Sequence, residues 1–338
     1  MGNSLLDSLH VDVCIVTLIM WTHTRSYNSS NNLEELVLSS VDGNHSVSIY
    51  LFGATVTSWK HNNVERLFVS PNAIFNGVKA IRGGIPLVFP QFGQPNPEMP
   101  QHGFARTSLW SVEDINICND SSSICASLQL TNNATTYALW PHNFSLVFKV
   151  TLSLTSMTTA LTVINTDTQA FSFKTLLHTY LRVSDIDDAV VNGFEGINYV
   201  DKLDESSIKE ELNNSIRISS EVDRIYIDAE PKRIPAITLR SNLAGNIRIT
   251  SIANTTHDLP IPVDVVLWNA WEAKARALAD LGAEQFRAYV CVEPGLVHNQ
   301  VLLAAGEQVN LTQTLTSISQ IHPVRPLCIM PVDLDENH

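Results

Sequence analysis

The sequence predicts an all-β fold, a sandwich of many antiparallel strands, and two observations support it. Several stretches alternate apolar and polar residues with a period of two, as half-buried strands do: His45–Trp59, Phe144–Thr155, Thr159–Thr166 and Asn246–Ile252. Short clusters of Asn, Asp, Ser and Gly separate these stretches, as turns separate the strands of an antiparallel meander. No glycine-rich phosphate loop precedes a helix and no βαβ rhythm appears, which excludes a Rossmann or P-loop fold.

The same pattern predicts few helices and one large domain. Only Asn269–Gly282 has a helical composition, since alanines and charged residues run up to a glycine. The chain has 338 residues, of which 44% are hydrophobic and 16% are charged, enough for one large domain. We expect the domain to cover residues 33–320, between an N-terminal extension of residues 1–32 and a C-terminal tail of residues 321–338.

The N-terminal extension contains an apolar run, Val11–Trp21. The run is too short to span a bilayer, and no basic residue precedes it as one would in a signal peptide. The chain begins like a myristoylation motif but has Leu6 where Ser or Thr is expected. We expect an extra strand or an unstructured extension here, and an uncommon targeting segment is the alternative.

The charge and the cysteines limit the partners and the compartment. A net charge of -13 argues against nucleic acid or an anionic membrane as the main partner. A small anion remains possible, because a local cluster of arginines can override the overall charge at short range. Five scattered cysteines without a C-x-x-C pair favour reduced thiols in the cytosol, although Cys118 and Cys125 could pair in an oxidising compartment.

A first candidate for chemistry is His178, in the stretch Phe171–Val183. If this stretch is one strand, its apolar residues lie on one face, and His178 shares the other face with Lys174, Tyr180 and Arg182. His178 then lies on a polar face and not in the core. It is either a functional histidine or an ordinary solvent-exposed one.

A second candidate is Glu293, in the stretch Ala288–Asn299. We predict an apolar strand that ends at Pro294 and Gly295, with Glu293 as its last residue. Partial burial at that position would raise the pKa of the carboxyl group toward that of a useful general base. The alternative is a glutamate at a strand end in solvent.

Arg82 is the only charged residue in the run "AIRGGIPLVFPQFG" of residues 80–93. A helix cannot pass through this run, because Pro86 and Pro90 lack an amide hydrogen. We predict a rigid loop that presents the Arg82 guanidinium, with Gly83 and Gly84 letting the backbone come close to a ligand. The alternative is a packed crossover between strands that binds nothing.

A third polar segment, residues 100–110, contains Gln101, His102 and Arg106 around a Gly-Phe pair. Together with Arg82, Arg106 would supply two guanidinium groups, which suit a phosphate or a sulfate. Each arginine alone is more often an ordinary surface charge. The prediction of an anion site therefore depends on the two arginines together.

These segments resemble the glucose-6-phosphate 1-epimerase family, a branch of the aldose 1-epimerase (galactose mutarotase-like) proteins. The matching runs follow the order of the family between about Leu33 and Thr316, and they are AIRGGIPLVFPQFG, QHGFARTSLW, LLHTYLRV, EVDRIY, VVLWNAW and VCVEPG. One departure is Ala270, where the family commonly has proline. This change removes no reactive group.

The resemblance implies a fold and a set of roles. The fold is a galactose mutarotase-like β-supersandwich of antiparallel sheets with a few short helices and a sugar cleft on one face. His178 and Glu293 match the catalytic residues of the family. The residues that match or adjoin its substrate-binding positions are Arg82, Gln101, His102, Arg106 and Asp223. The alternative for Asp223 is a turn carboxylate paired with Arg224.

The chemistry of anomer exchange fits these roles. The sugar ring opens when a base takes the proton of the anomeric hydroxyl and an acid protonates the ring oxygen, and each such transfer is worth about 10²–10⁴-fold in rate. We assign Glu293 as the base and His178 as the acid, on either side of the sugar. No cofactor is needed, and the spacing of His178, His102 and Glu293 does not support a metal site.

We therefore expect a cytoplasmic monomer that acts on a sugar phosphate and binds neither nucleic acid nor membranes. Two alternatives remain, an aldose 1-epimerase for unphosphorylated hexoses and a non-catalytic carbohydrate-binding protein on the same fold. Trp268 and Trp271 either line the cleft or belong to the core. Asp280 falls near the cleft in the family-like arrangement and receives no role.

Overall fold

Antiparallel strands make up most of the protein, as a computed structural model shows. The structure describes residues 20–118, 122–228, 234, 236–242 and 245–318. Within these residues the chain forms 23 strands, two α-helices and three 3-10 helices. The helices are α1 (Ala134–Leu139), α2 (Trp271–Ala277) and the 3-10 helices Ala105–Thr107, Ile186–Asp188 and Gln285–Ala288.

The strands follow one another with short connections. In chain order they are β1 (Trp21–Tyr27), β2 (Glu34–Ser40), β3 (Ser46–Tyr50), β4 (Thr55–His61), β5 (Val64–Glu65), β6 (Leu87–Val88), β7 (Ser111–Ile117), β8 (Ser123–Thr131), β9 (Phe144–Ser153), β10 (Ser156–Asn165), β11 (Phe171–Leu177), β12 (Tyr180–Arg182), β13 (Val190–Asn192), β14 (Asn198–Asp201), β15 (Ser207–Glu210), β16 (Ser215–Ile216), β17 (Val222–Tyr226), β18 (Ile237–Arg240), β19 (Asn246–Thr255), β20 (Pro260–Ile261), β21 (Asp264–Asn269), β22 (Tyr289–Leu303) and β23 (Gln308–Ile318).

The strands form three sheets, and the pairs between named strands are antiparallel. A five-stranded sheet has the order β1-β2-β3-β4-β5. A ten-stranded sheet has the order β16-β13-β18-β19-β23-β10-β9-β8-β7, with β20 beside β19. An eight-stranded sheet has the order β15-β14-β17-β21-β22-β11-β6, with β12 beside β22. The predicted all-β architecture is confirmed.

The core lies where the ten-stranded and eight-stranded sheets face each other. Alternation along β10 buries every second residue, as the sequence pattern predicts. The ring of Phe89 lies 5.4 Å from that of Phe144 on β9 and 5.6 Å from that of Phe173 on β11, which joins the two sheets. A buried hydrogen bond of 2.9 Å from Thr179 Oγ1 to Gln313 Oε1 crosses the same interface.

The described part of the N-terminal extension includes a strand. Trp21–Tyr27 forms β1, which pairs with β2 at the edge of the five-stranded sheet. Trp21 is buried there. Residues 11–19 of the apolar run and the predicted C-terminal tail lie outside the described residues. Among the described residues no helix has both the length and the apolar character needed to cross a membrane.

The prediction of one uninterrupted strand over Phe171–Val183 is wrong. The pairing of β11 with β22 shifts register between Phe173 and Thr175, and β11 ends at Leu177 before β12 begins. The main-chain N–H of Thr179 donates to Leu177 O at 2.8 Å within this break. The alternation therefore fails, and His178 and Tyr180 are both buried instead of lying on an exposed polar face.

The predicted end of the next strand is also wrong, because β22 continues through Pro294 and Gly295 to Leu303. Gly295 pairs with Leu176 of β11, and pairing resumes between Cys291 and Tyr180 of β12. Pro294 thus lies opposite the break between β11 and β12, where no neighbouring strand needs a hydrogen bond from a main-chain N–H group at this position. Glu293 is consequently a buried residue in the interior of β22 and not the last residue of a strand.

Helix α2 is shorter than the predicted Asn269–Gly282. It begins at Trp271 and ends at Ala277, and Leu278 caps it through its main-chain N–H. The helical composition of this stretch therefore predicted the element but not its length.

Candidate active site

One cleft on the eight-stranded sheet brings together the seven residues predicted from the sequence. They are Arg82, Gln101, His102, Arg106, His178, Asp223 and Glu293, and the cleft is completed by Phe92, Gly93, Lys202, Val266, Trp268, Lys274 and Leu278. The sites proposed from separate segments are thus a single site. Their roles remain proposals.

The floor of the cleft is formed by neighbouring central strands. Glu293 on β22 lies opposite Val266 on β21, and Trp268 on β21 lies opposite Asp223 on β17. Because side chains alternate across a sheet, Val266 and Trp268 point to the same face. The sheet register therefore places the Glu293 and Asp223 carboxyl groups on one surface.

The acid–base pair predicted from the sequence is in contact. His178 Nδ1 lies 3.3 Å from Glu293 Oε2, and both side chains are buried. Among the described residues, His178 Nδ1 and Glu293 Oε1 are buried atoms without a hydrogen-bond partner, so the 3.3 Å contact is a close approach and not a formed hydrogen bond. The sequence analysis placed the two groups on either side of the sugar, whereas the structure places them side by side.

The pKa values of the pair move in opposite directions. Burial raises the pKa of Glu293 well above its usual value, and the nearby Asp223 carboxylate raises it further. Burial lowers the pKa of His178 well below its usual value, and the neighbouring His102, Arg106 and Arg82 add to this effect. Both shifts favour the uncharged forms, so they favour a pair that holds one proton, with the carboxyl group protonated and the imidazole neutral.

Aromatic rings hold the imidazole of His178. The ring of Tyr180 stacks on it with centroids 4.8 Å apart and an interplanar angle of 8°. The rings of Trp268 and His102 meet it nearly at right angles, each with centroids 5.8 Å away. These contacts restrict the rotation of the imidazole that faces Glu293.

Arg82 is fixed in the cleft by an ion pair. Its Nη2 donates to Asp280 Oδ2 at 3.3 Å, its Nε lies 3.3 Å from Asp280 Oδ1, and its Nη1 donates to the Tyr180 hydroxyl at 3.3 Å. Asp280 is 1% exposed and also contacts Lys79 Nζ at 3.0 Å. Burial opposes the charge on Arg82, but Tyr180 and Asp280 outweigh it and raise the arginine pKa.

The glycines beside Arg82 serve packing of the backbone and not approach to a ligand. Gly83 has φ +114°, and a Cβ there would lie 2.4 Å from the carbonyl oxygen of Phe68. Gly84 has φ +67°, and a Cβ there would lie 2.1 Å from the carbonyl oxygen of Val56. The expectation that these glycines bring the backbone close to a ligand is therefore wrong.

Arg106 differs from Arg82 in its surroundings. Its Nη2 donates to the carbonyl oxygen of Gln101 at 2.7 Å, so Gln101 contributes a main-chain contact here. In the described part of the chain no carboxylate lies within salt-bridge distance of Arg106. Burial and the charge of Arg82 lower the pKa of Arg106 to about 10. Arg106 is thus a cation that lacks a carboxylate in contact.

His102 presents a lone pair to the backbone. Its Nδ1 accepts a hydrogen bond of 3.2 Å from the main-chain N–H of Gly93. Burial lowers its pKa well below the usual value, and Arg106, Lys202 and Arg82 add to this effect. The imidazole is therefore neutral, with its proton on Nε2.

Two lysines that the sequence analysis did not select also line the cleft. Lys202 Nζ lies 3.5 Å from Asp223 Oδ2, and Lys274 Nζ lies 2.7 Å from Glu221 Oε1. Lys202 lies in a segment whose composition does not stand out, and Lys274 lies in the predicted helix Asn269–Gly282, where a lysine is an ordinary surface residue. The alternative pairing of Asp223 with Arg224 is wrong, because Arg224 donates to Glu211 at 2.9 Å.

The two tryptophans differ in position. Trp268 lines the cleft, and its ring lies beside those of His178 and Tyr180. Trp271 is absent from that lining and packs against the ring of Phe286 at 4.9 Å. Only Trp268 is therefore placed to contact a sugar.

A possible metal-ligand set overlaps the acid–base pair. His178, Cys291 and Glu293 offer ligand atoms that lie within 4.8 Å of one another, and His102 is not part of the set. Burial raises the pKa of the Cys291 thiol well above its usual value, with a further contribution from Glu293. A thiolate ligand is therefore disfavoured, and we assign no metal to the site.

Comparison with known proteins identifies the family. Residues 36–316 match the family model described as aldose 1-epimerase. The chain belongs to the aldose 1-epimerase family.

Relatives in plants and bacteria resemble most of the chain. A protein of Cenchrus ciliaris named "Putative glucose-6-phosphate 1-epimerase" is 36% identical over 285 residues, which cover 82% of this chain and 83% of the relative. A protein of Escherichia coli K12 with the same name is 27% identical over 291 residues, which cover 85% of this chain and 92% of the relative.

Solved structures share the fold. A "putative mutarotase" from Salmonella typhimurium superposes with a TM-score of 0.74 at 24% identity, covering 88% of this chain and 94% of the other. The galactose 1-epimerase from Lactobacillus acidophilus NCFM superposes with a TM-score of 0.61 at 15% identity, covering 88% of this chain and 98% of the other. The predicted galactose mutarotase-like fold is confirmed.

Proposed function

We propose that the protein is a glucose-6-phosphate 1-epimerase that interconverts the α and β anomers of hexose 6-phosphates. The observation that carries the proposal is the contact of 3.3 Å between His178 Nδ1 and Glu293 Oε2 in the cleft. The names of the relatives in Cenchrus ciliaris and Escherichia coli support a phosphorylated substrate.

The adjacency of the two groups suits the chemistry. Ring opening removes a proton from the anomeric oxygen and adds one to the ring oxygen, and both oxygens are bonded to the same carbon. The base and the acid must therefore reach neighbouring atoms, which two groups in contact can do. This arrangement replaces the expectation of two groups on opposite sides of the sugar.

In the proposed reaction Glu293 takes the anomeric proton and His178 donates its proton to the ring oxygen. The bond between the anomeric carbon and the ring oxygen breaks, and an aldehyde forms at that carbon. The open sugar rotates about its first carbon–carbon bond. The ring closes when His178 recovers its proton and Glu293 returns the other, which gives the second anomer and restores the pair.

The phosphate of the substrate prepares His178 for this role. In the free cleft the charges of Arg106 and Arg82 help to lower the pKa of His178. A bound phosphate offsets those charges, so it raises the pKa of the imidazole and shifts the shared proton from Glu293 toward His178. The substrate group that is remote from the reaction thus contributes to it as well as to binding.

Arg106 is the principal partner of the phosphate in this proposal. Arg82 is already paired with Asp280, whereas Arg106 has no carboxylate in contact among the described residues. A phosphate gains most from a guanidinium whose charge is not yet compensated. Arg82 then orients the substrate through the donors that Asp280 and Tyr180 leave available.

The test is anomer exchange measured by NMR magnetisation transfer on glucose 6-phosphate and on glucose. Fast exchange on the phosphate ester, with much slower exchange on glucose, is the expected result. Equal exchange on both sugars contradicts the phosphate specificity and indicates a general aldose 1-epimerase. Absence of exchange on both, with sugar binding retained, contradicts the activity and indicates a carbohydrate-binding protein.

We also propose that the enzyme is a cytoplasmic monomer. Cys118, Cys125 and Cys291 are free thiols, which supports a reducing compartment. Light scattering of the full chain, together with cell fractionation, tests both statements. A stable dimer, or recovery in a secreted or organellar fraction, contradicts them.

A further inference from the structure

Tyr180 contacts both halves of the cleft. It lies on β12, is 1% exposed and is absent from the residues that line the cleft surface. Its hydroxyl accepts a hydrogen bond of 3.3 Å from Arg82 Nη1, and its ring stacks on His178 at 4.8 Å. One buried side chain therefore supports a proposed substrate-binding arginine and the proposed acid.

The hydroxyl of Tyr180 completes the support of Arg82. A guanidinium has five N–H groups in a fixed plane, so contacts at all three of its nitrogens determine its orientation. Asp280 contacts Nε and Nη2, and Tyr180 accepts from Nη1. The remaining N–H groups on the two terminal nitrogens are held in place for a ligand without further ordering of the side chain.

The ring of Tyr180 is itself held by other aromatic rings. Its centroid lies 5.2 Å from that of Tyr289, 6.0 Å from that of Trp268 and 6.4 Å from that of Phe68. Since the ring cannot shift without displacing these neighbours, it provides a fixed surface against one face of His178. The imidazole therefore keeps Nδ1 directed toward Glu293.

We propose that Tyr180 is a positioning residue that joins the two halves of the site, holding Arg82 with its hydroxyl and the His178 imidazole with its ring. The inference rests on the proposed function and deepens it. It assigns two separable effects to one side chain: placement of the phosphorylated substrate through Arg82, and placement of the acid through the stack.

Two substitutions separate these effects. Tyr180→Phe removes the hydroxyl and keeps the stack, so we expect KM for glucose 6-phosphate to rise about tenfold, as for a lost hydrogen bond to a charged group, with kcat changed less than about twofold. Tyr180→Leu removes the stack as well, so we expect kcat to fall about 100-fold on glucose 6-phosphate and on glucose. Asp280→Asn should reproduce the KM effect of Tyr180→Phe.

Tyr226→Phe is the matched control. Tyr226 is also fully buried, accepts from an arginine (Arg224 Nη1, 3.4 Å) and donates to the Glu211 carboxylate at 2.9 Å, but it lies outside the cleft. Its loss should lower the melting temperature without altering KM or kcat. Equal KM effects in Tyr180→Phe and Tyr226→Phe would show that the loss of a buried hydroxyl is merely structural, and this overturns the proposal.

A second readout does not depend on activity. In protein with 13C-labelled histidine, stacking on Tyr180 shifts the ring-proton signals of His178 upfield. This shift should persist in Tyr180→Phe and disappear in Tyr180→Leu, each folded by circular dichroism. Loss of the shift in both variants, or in neither, overturns the proposal. If wild type shows the shift but no anomer exchange, the proposed function fails and the positioning of the imidazole stands.

Discussion

Asp280 neutralises Arg82 inside the cleft, with its two carboxylate oxygens each 3.3 Å from a guanidinium nitrogen. The second arginine of the cleft, Arg106, has no such partner among the described residues and is held only by the carbonyl oxygen of Gln101. The two arginines that the sequence analysis combined in one anion site therefore differ in whether a carboxylate compensates their charge. The difference predicts which of them binds the phosphate.

Replacing Arg106 should affect the phosphorylated substrate selectively. Arg106→Met removes the uncompensated charge, so we expect kcat/KM for glucose 6-phosphate to fall about 100-fold, the effect of losing a charge-assisted contact. Exchange on glucose should change less than threefold. Arg82→Met is the matched control and should cause a smaller loss on the phosphate ester. Equal losses on both sugars in Arg106→Met would contradict the assignment.

Removing Asp280 should destabilise the protein. Asp280→Asn leaves Arg82 and Lys79 without their carboxylate, and breaking a buried ion pair costs about 3 kcal/mol in free energy of unfolding. Burial opposes the ionised form of Asp280, but Arg82 and Lys79 outweigh burial and lower its pKa below the usual value. The stabilisation is therefore present above the ordinary pKa of an aspartate and is lost as the pH falls through the lowered one.

Urea titrations of wild type and Asp280→Asn across this pH range measure the effect. The difference in unfolding free energy should be constant near neutral pH and shrink below pH about 4, the usual range of aspartate. Lys79→Met is the control, since it removes the half-exposed partner and keeps the Arg82 contact. A difference that persists unchanged in acid contradicts the ion pair as its cause.

The pH dependence of the rate follows from the shared proton of the pair. The pair is active when it holds one proton. Burial raises the pKa of Glu293 and, with the neighbouring cations, lowers that of His178, so the lowered pKa of His178 sets the acid limit of this state. We expect kcat/KM to fall in acid only below the usual histidine value of about 6.5.

Glucose 6-sulfate is the control for this profile, because a phosphate ester itself titrates near pH 6 and a sulfate ester does not. Stopped-flow polarimetry on both esters gives the comparison. With the sulfate ester, a fall in kcat/KM that already begins above pH 6.5 would show that the pKa of the imidazole is raised. This result would contradict the account.

The glycines beside Arg82 should be essential for stability. Gly83→Ala places a Cβ 2.4 Å from the Phe68 carbonyl oxygen at a φ of +114°. Gly306 also has a positive φ of +76°, but nothing lies within 4 Å of a Cβ there, so Gly306→Ala is the matched control. We expect Gly306→Ala to cost about 1 kcal/mol and Gly83→Ala several times more. Equal midpoints in urea for the two variants contradict this packing role.

The sequence predicts the strands that alternate without interruption. β9 and β10 bury every second residue or nearly so, and their residue patterns indicate them directly. The breaks in alternation were not predicted. The register shift before Thr175 and the passage of β22 through Pro294 depend on how β11, β12 and β22 pair, which involves contacts between distant segments.

For the candidate site, too, the local features were predicted and those that depend on distant contacts were not. The resemblance indicates the seven candidate residues, and the structure brings all of them to one cleft. The supporting roles of Asp280 and Tyr180 were not predicted, because neither residue carries a local signal for the contact that it makes. Their importance arises from contacts with Arg82 across 198 and 98 positions of the chain, which only the fold creates.

The most direct test of the proposed mechanism is the rate of anomer exchange on glucose 6-phosphate in Glu293→Gln, measured by NMR magnetisation transfer beside wild type. Glutamine keeps the size of the side chain and cannot take the anomeric proton. We predict a loss of about 10²–10⁴-fold in the exchange rate with substrate binding retained. Exchange at the wild-type rate in the folded variant would contradict the assignment of Glu293 and His178 as the acid–base pair.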